Sequence, residues 1–119
     1  TADDMLAKVD AAIAEASAAG TAAAIKAFEE VPKTPHGDVR DVCGFAYLMT
    51  AAPQSELTAA LLKRGYVEHH QGEEYCFYGL RVRVPAQGLC LEEAAMEAAL
   101  EVFKKHFPDA LFWTRSVLD

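Results

Sequence analysis

Residues 39–50 constrain the fold more than any other segment, because they are apolar on both sides of an extended chain. Successive side chains of a strand point to opposite faces of a sheet. Alternation places Val42, Gly44, Ala46 and Leu48 on one face and Cys43, Phe45, Tyr47 and Met49 on the other. A strand with two apolar faces is typical of the centre of a sheet that is covered on both sides. We therefore expect the chain to build a sheet around this strand.

The segments that follow this strand alternate between helix and strand patterns. A short helix is expected to open at Pro53 and Ser55 and to stop at Gly65. Next come a strand at residues 66–70, a turn at 71–73, a strand at 75–84, a helix at 91–107 and a strand at 111–118. Residues 39–119 are thus predicted to form a β-α-β-β-α-β unit. That order is typical of the ferredoxin-like, split βαβ fold with an antiparallel sheet.

An alanine-rich segment, residues 1–31, precedes this unit. Its apolar residues recur at spacings of three and four, which predicts helix. Gly20 is expected to interrupt the helix, with Thr21 capping a second piece. The length of 119 residues fits one domain. The sequence therefore predicts a single α+β domain over residues 1–119, with N-terminal helices ahead of the sheet.

Composition narrows the classes of function. The chain has 18 acidic and 11 basic residues and a net charge of −7, so phosphate backbones repel it and nucleic acid is a disfavoured partner. It contains no run of about 20 apolar residues and no signal-peptide pattern at its start, so we expect a cytoplasmic protein without a membrane span. Its three cysteines show no C-x-x-C spacing, which argues against disulfides and zinc.

The ferredoxin-like fold places both of its helices on one face of the sheet and leaves the other face free. We predict a ligand- or partner-binding surface on that second face. Its residues would be Phe45, Tyr47, Tyr75, Phe77, Arg81 and Arg83, with Trp113 or Phe112 beside them. An exposed apolar surface of that size requires an explanation.

Three explanations of the second face remain open. In the preferred one, the N-terminal helices fold over it and bury it. In the second, two copies of the chain pack sheet to sheet as a homodimer. In the third, the aromatic side chains stack on RNA bases, as they do on the first and third strands of the RNA-recognition fold.

Few residues invite a catalytic interpretation. Cys43 could act as a nucleophile with a histidine as its base, but its place among apolar strand residues predicts a buried, unreactive thiol. His69 and His70 are adjacent on a strand and point to opposite faces, so they are not expected to share a metal ion. We therefore predict no catalytic residue, no metal and no cofactor.

One stretch, Asp41-Val-Cys-Gly-Phe-Ala-Tyr47, resembles the D-x-C-G-F-A-[WY] motif of a family of short proteins of uncharacterised function encoded by bacteriophages and prophages. The pair Tyr78-Gly79, the alanine-rich helix at 93–102 and the final strand are similar as well. Residues 116–119 depart from the family's S-R-[LM]-D ending, because they lack its arginine. The resemblance implies a mobile-element origin and a location in the host cytoplasm, but no activity.

Three hypotheses for the function follow in order. The first is a non-enzymatic accessory protein, encoded by a phage or another mobile element, that acts by binding a host or phage protein. The alternative is a small-ligand or RNA-binding module that uses the aromatic and arginine side chains of the second sheet face. The third is an enzyme that depends on Cys43.

Overall fold

The computed structural model describes residues 1–51 and 55–119, which form three helices and one four-stranded antiparallel sheet. The helices are α1 (Ala2–Glu30), α2 (Glu56–Lys63) and α3 (Leu89–His106). The strands are β1 (Gly44–Ala51), β2 (Val67–His69), β3 (Glu74–Phe77) and β4 (Leu111–Leu118). The predicted α+β class, with helix ahead of the sheet, is confirmed.

The sheet has the strand order β2-β3-β1-β4, and every neighbouring pair is antiparallel. β1 lies between β3 and β4, so its predicted central position is confirmed. It begins at Gly44 rather than at Val39, because the residues before it contact α3 instead of pairing in the sheet. The Val42 carbonyl accepts a hydrogen bond from Leu89 N at 2.9 Å, and Asp41 Oδ2 accepts one from Cys90 N at 2.6 Å.

The predicted break at Gly20 is wrong, because α1 runs unbroken from Ala2 to Glu30. Thr1 caps it in a capping box with Asp4. Gly20 is instead a point of close approach. A Cβ added there would lie 2.9 Å from Val82 Cγ2 and 3.0 Å from the Ala95 carbonyl oxygen. The glycine thus lets α1 lie close to α3 and to the chain that follows β3.

The preferred explanation of the second sheet face is also wrong, because α1 packs against α3 and α2 and not over that face. Its buried stripe runs through Val9, Ala12, Ala16 and Ala24, which are fully buried. Ala95 and Ala99 of α3 belong to the same core cluster. Small residues on both helices allow close packing, so the apolar stripe of α1 is satisfied within the helices.

The predicted strand at 75–84 is shorter than expected, because β3 ends at Phe77. The chain then leaves the sheet and runs along α1. Arg81 N donates to Ser17 Oγ at 2.9 Å, and Arg83 N donates to Thr21 Oγ1 at 3.0 Å. The alternating pattern of this segment therefore reflects an extended chain with one side on the core, where Val82 and its apolar neighbours pack.

The ends of α2 lie at residues that the sequence predicts as its boundaries. Ser55 is the N-cap and accepts a hydrogen bond from Thr58 N at 3.0 Å. Gly65 follows the helix with a φ of 72°, a left-handed conformation that favours glycine. Pro53, expected to open this helix, lies outside the described residues.

Candidate functional site

One face of the sheet packs against the helices. Ser116 Oγ of β4 donates to Glu93 Oε2 of α3 at 2.6 Å, and Thr114 Oγ1 donates to a second α3 glutamate at 3.0 Å. Their register partners on β1, Ala46 and Leu48, are buried on the same side. The residues between them point to the opposite side, because side chains alternate along a strand.

We call that opposite side the open face, since no helix in residues 1–51 and 55–119 packs over it. Residues paired directly across neighbouring strands share a face, so the register defines its members. These members form four rows across the strands. The rows are Phe45 with Val117, Tyr47 with Arg115, Glu68 and Cys76 with Met49 and Trp113, and Glu74 with Ala51 and Leu111. Tyr78, one residue beyond β3, joins them because its ring centroid lies 6.1 Å from that of Tyr47.

Large apolar side chains of the open face are exposed. The exposed fraction is 48% for Phe45, 55% for Tyr78 and 61% for Leu111. Met49 and Cys76 lie at the centre of the same face and are buried. Because no described helix shields them, the larger side chains around them must exclude water. The open face is therefore a packed apolar layer whose outer surface meets solvent.

Arg115 lies among the side chains of this apolar layer. Its Cζ is 5.3 Å from the centroid of the Tyr47 ring, within the range of a cation–π contact. Its Nε is buried and has no hydrogen-bond partner among the described residues. A buried donor without a partner destabilises a protein by about 1–3 kcal/mol. Arg115, on the edge strand β4, thus places a positive charge among the apolar side chains of the open face.

Acidic side chains lie on the other half of the open face. Glu68 is opposite Cys76 on β2, and Glu74 is opposite Ala51 on β3. Neither glutamate forms an ion pair within the described part of the chain. Burial raises the pKa of the Cys76 thiol, with smaller opposing effects from Tyr78 and Arg115. The face therefore carries charges of both signs at separate positions and a neutral thiol between them.

The structure divides the six predicted binding residues into three groups. Phe45 and Tyr47 lie on the open face as expected, together with Trp113. Tyr75 and Phe77 do not, because the register pairs Met49 with Cys76 and so turns the odd-numbered residues of β3 toward the helices. Phe77 is buried there, with its ring centroid 4.9 Å from that of Phe103. Phe112 lies on the covered face as well.

Arg81 and Arg83 form the third group and lie away from the sheet. Their backbone amides are bound to α1, and their side chains are exposed beside it. No carboxylate of residues 1–51 or 55–119 forms an ion pair with either guanidinium. The prediction that they share a surface with Phe45 and Tyr47 is wrong, since the chain turns away at Phe77.

Sequence reasoning missed Tyr78, Leu111, Arg115 and Val117 as members of the open face. The alternation of β4 is visible in the sequence, and it groups Leu111, Trp113, Arg115 and Val117. Which side of the sheet this group occupies depends on the register between β4 and β1. That register is a long-range property that local patterns do not encode.

Asp41, Cys43 and Gly44, in the first part of the motif at residues 41–47, make contacts that join neighbouring elements. Asp41 binds the amino end of α3, and this hydrogen bond to Cys90 N lowers the pKa of the Asp41 carboxyl. The Cys43 carbonyl accepts from Asp119 N at 3.1 Å. A Cβ on Gly44 would lie 2.6 Å from the Val117 carbonyl oxygen. The motif thus joins β1, β4 and α3, while Phe45 and Tyr47 point to the open face.

Cys43 is exposed, so the prediction of a buried thiol is wrong. It precedes β1 and lines a cavity of about 310 Å³ with Gln87, Glu92 and Asp119 among others. Burial raises the pKa of Glu92. The thiol contacts Gln87 Oε1 at 3.7 Å, and none of the residues that line the cavity is a histidine. The Cys–His pair considered for a nucleophilic thiol therefore has no counterpart at this cavity in the described residues.

Neither of the neighbouring histidines holds a metal site. His69 Nε2 hydrogen-bonds the Gly72 carbonyl at 2.8 Å, so the last residue of β2 binds the turn that follows it. No group of three or more His, Cys, Asp or Glu side chains in the described ranges could hold a metal ion. None of the three helices described here has both the length and the apolar character that a membrane crossing demands.

Comparisons with protein-family models, curated proteins and solved structures find no match for this chain. The geometry of the open face is therefore the basis for any assignment of function.

Proposed function

We propose that this chain is a non-enzymatic binding module whose open face docks a protein. The observation that carries the proposal is the combination of exposed Phe45, Tyr78 and Leu111 on one flat sheet surface. Contiguous exposed apolar surface of this kind marks interaction sites on soluble proteins. Arginine and aromatic residues are also enriched at the centres of protein interfaces.

The composition of the open face favours a protein over other partners. Tyr47, Tyr78 and Trp113 supply large contact area with few rotatable bonds, which limits the entropy lost on binding. Arg115 supplies a donor that an incoming carboxylate or carbonyl would satisfy. Glu68 and Glu74 would repel phosphate groups, so a polypeptide is a better match than a nucleic acid.

The proposal also includes a fold class and a biological origin for the chain. We assign the β-α-β-β-α-β unit to the ferredoxin-like, split βαβ class, an assignment supported by β1 lying between β3 and β4 and antiparallel to both. The motif at residues 41–47 supports an origin in a phage or prophage. A cytoplasmic accessory protein that acts without a cofactor fits that origin.

Site-specific photo-crosslinking tests the docking proposal. A photoreactive phenylalanine analogue is placed at position 45 or 78 on the open face, and at position 25 on α1 as the control, because Ile25 is comparably exposed at 46%. After irradiation in bacterial cells, we expect protein adducts from positions 45 and 78 and none from position 25. Equal adducts from all three positions, or none from 45 and 78, would contradict the proposal.

A second candidate function is stacking of RNA bases on the open face. The observation that favours it is the cluster of Tyr78, Tyr47 and Arg115, in which the guanidinium lies over the Tyr47 ring and the two tyrosine rings meet edge to face. Trp113 is the single tryptophan of the chain, so its fluorescence reports on this face alone. Titration with single-stranded RNA oligonucleotides at low and high salt tests the candidate. Salt-dependent quenching that Tyr47→Ala abolishes would favour RNA over protein.

A further inference from the structure

We infer that the occupant of the open face is a second copy of this chain, packed sheet to sheet about a twofold axis. This inference rests on the proposed function and names its partner. Two features carry it: the face bears unpaired charges of opposite sign on its two halves, and its size fits a weak dimer.

The charges are complementary under the symmetry that such a dimer requires. A twofold axis lying in the interface, parallel to the strands and between β1 and β3, reverses the strand order of the second copy. β4 of one copy then lies over β2 of the other. Arg115 on β4 would thus face Glu68 on β2 of the second copy, and symmetry would form this pair twice.

The distances permit this pairing. Arg115 lies in the row of Tyr47, and Glu68 lies in the adjacent row of Met49 and Trp113. Adjacent rows on one face are two residues apart, or about 7 Å, and packed sheets are about 10 Å apart. The side chains of arginine and glutamate together span that separation. The pairing would use the guanidinium nitrogens at the solvent-facing end of the half-buried Arg115 side chain, because Nε itself is buried within one chain.

The same twofold axis would bring the apolar side chains of the two copies into contact. β3 of one copy would lie over β1 of the other, and because this axis keeps each residue at its own height along the strands, Tyr78 and Cys76 would face Tyr47 and Met49 of the second copy. These contacts would bury the rings that solvent now reaches. The glutamates and Arg115 would lie toward the sides of the contact, with the aromatic residues between them, as in interfaces that have an apolar core and a polar rim.

The size of the face sets the expected affinity. β1 and β4 have eight residues each, but β3 has four and β2 three, so at a strand spacing of about 4.8 Å the flat footprint is roughly 400 Å² per copy. Two copies would bury about 800 Å² before the area of the projecting side chains is added, in the range of weak, transient interfaces. We therefore expect a reversible dimer with a Kd on the order of 10 µM.

Charge reversal tests the dimer and its register together. In Glu68→Arg, each predicted pair becomes two arginines, and in Arg115→Glu each becomes two glutamates. We expect each variant alone to dimerise at least about tenfold more weakly than the wild type, since like charges at an interface repel. An equimolar mixture should recover dimers, because both pairs of the heterodimer are then of opposite sign. Lys26→Glu on α1, away from the open face, is the control and should dimerise like the wild type.

Sedimentation equilibrium of the full chain, from about tenfold below to about tenfold above the expected Kd, measures each of these states. Circular dichroism verifies folding, and if Arg115→Glu does not fold, Tyr78→Glu replaces it as the variant that should be monomeric, because Tyr78 is exposed in one chain and would face Tyr47 of the second copy. A wild-type dimer that both reversals leave intact, or that the mixture of folded variants does not restore, would overturn the proposed register.

The outcome also separates this inference from the docking proposal. A monomeric wild-type chain whose position 78 still crosslinks to a different protein would overturn the second copy as occupant and leave docking intact. A monomeric chain without adducts at position 78 would overturn both. A crosslinked product of twice the 12.9 kDa chain mass, lost in Glu68→Arg, would support both.

Discussion

The guanidinium of Arg115 lies over the ring of Tyr47, with its Cζ 5.3 Å from the ring centroid, on the side of the sheet that the described helices leave uncovered. The contact stabilises the arginine by about 0.5–1 kcal/mol. The buried Nε without a partner has the opposite effect, of about 1–3 kcal/mol. A single chain therefore gains little stability from this residue, which is consistent with a role in binding.

Arg115→Met tests that balance. In dilute solution, where the chain is monomeric, we expect its free energy of unfolding to be unchanged or raised by about 1 kcal/mol, because methionine fills the site without an unpaired donor. Arg64→Met is the matched control, and it should lower stability because Arg64 donates two hydrogen bonds to Asp10. Urea unfolding curves measure both. A clear loss for Arg115→Met would indicate a purely structural arginine.

Substitutions on the two faces of the sheet test which aromatic residues are core. Phe77→Ala should lower the free energy of unfolding by about 3–5 kcal/mol, because Phe77 is 3% exposed and packs against Phe103. Phe45→Ala should lower it by less than about 1 kcal/mol, since that ring is nearly half exposed. Denaturant unfolding at equal protein concentration gives both values. The opposite order would mean that the sheet faces are assigned the wrong way round.

These two phenylalanines also show what the sequence could and could not predict. Alternation within each strand was correct, and so were the α+β class, the central position of β1 and the bounds of β4. The prediction of which β3 side chains share a face with those of β1 was wrong. A shift of one residue in the pairing of two strands moves every side chain of a strand to the other face. The chain beyond Phe77 keeps a strand-like pattern while its amides bind Ser17 and Thr21, and such side-chain partners are not visible in a local pattern.

The place of α1 depended on similar long-range contacts. Its alanine-rich stripe is visible in the sequence, but that stripe could pack either on the second face of the sheet or on α3. Close packing with Ala95 and Ala99 of α3 decided between them. Small residues that match across two helices allow an approach that aromatic side chains on a sheet do not, and this left the open face uncovered.

Gly20→Ala tests the helix contact. In an isolated helix, alanine in place of glycine stabilises by about 1 kcal/mol. Here we expect a net loss of stability, because the new Cβ would lie 3.0 Å from the Ala95 carbonyl oxygen, a backbone atom that cannot move freely. Ala18→Gly, at an exposed position of the same helix, should show the ordinary loss of about 1 kcal/mol. A rise in melting temperature for Gly20→Ala would show that α1 and α3 are not in close contact there.

Cys43 and Cys76 should differ in their reaction with a soluble alkylating reagent. Cys43 is exposed and should react rapidly in the native protein. Cys76 is 1% exposed and its thiol pKa is raised by burial, so it should react only after unfolding. Mass spectrometry of peptides after a time course separates the two sites. Labelling of Cys76 at the rate of Cys43 under native conditions would contradict the described packing of the sheet.

The carboxylate of Asp41 should make stability depend on pH. It accepts the hydrogen bond from Cys90 N in the first turn of α3, where the helix dipole favours negative charge, and its pKa is lowered from the ordinary value of 3.8. A carboxyl group whose pKa is lower in the folded state stabilises the protein above its unfolded pKa. That contribution is lost as the pH falls through the folded pKa. Asp41→Asn keeps the size and an acceptor but removes the charge. We expect it to have a lower urea midpoint than the wild type at pH 7.

The difference between Asp41→Asn and the wild type should shrink as the pH falls below about 4, because the Asp41 carboxyl of the unfolded chain then takes up a proton before that of the folded chain does. Asp38→Asn is the control, because the Asp38 carboxylate makes no hydrogen bond or ion pair in the described part of the chain. This variant should have the urea midpoint of the wild type at pH 7 and at pH 3. Urea unfolding of the three proteins in buffers from pH 7 to pH 3 gives the midpoints. A constant difference across that range would mean that the charge of Asp41 does not stabilise the start of α3, and that its role at the junction of β1 and α3 is steric.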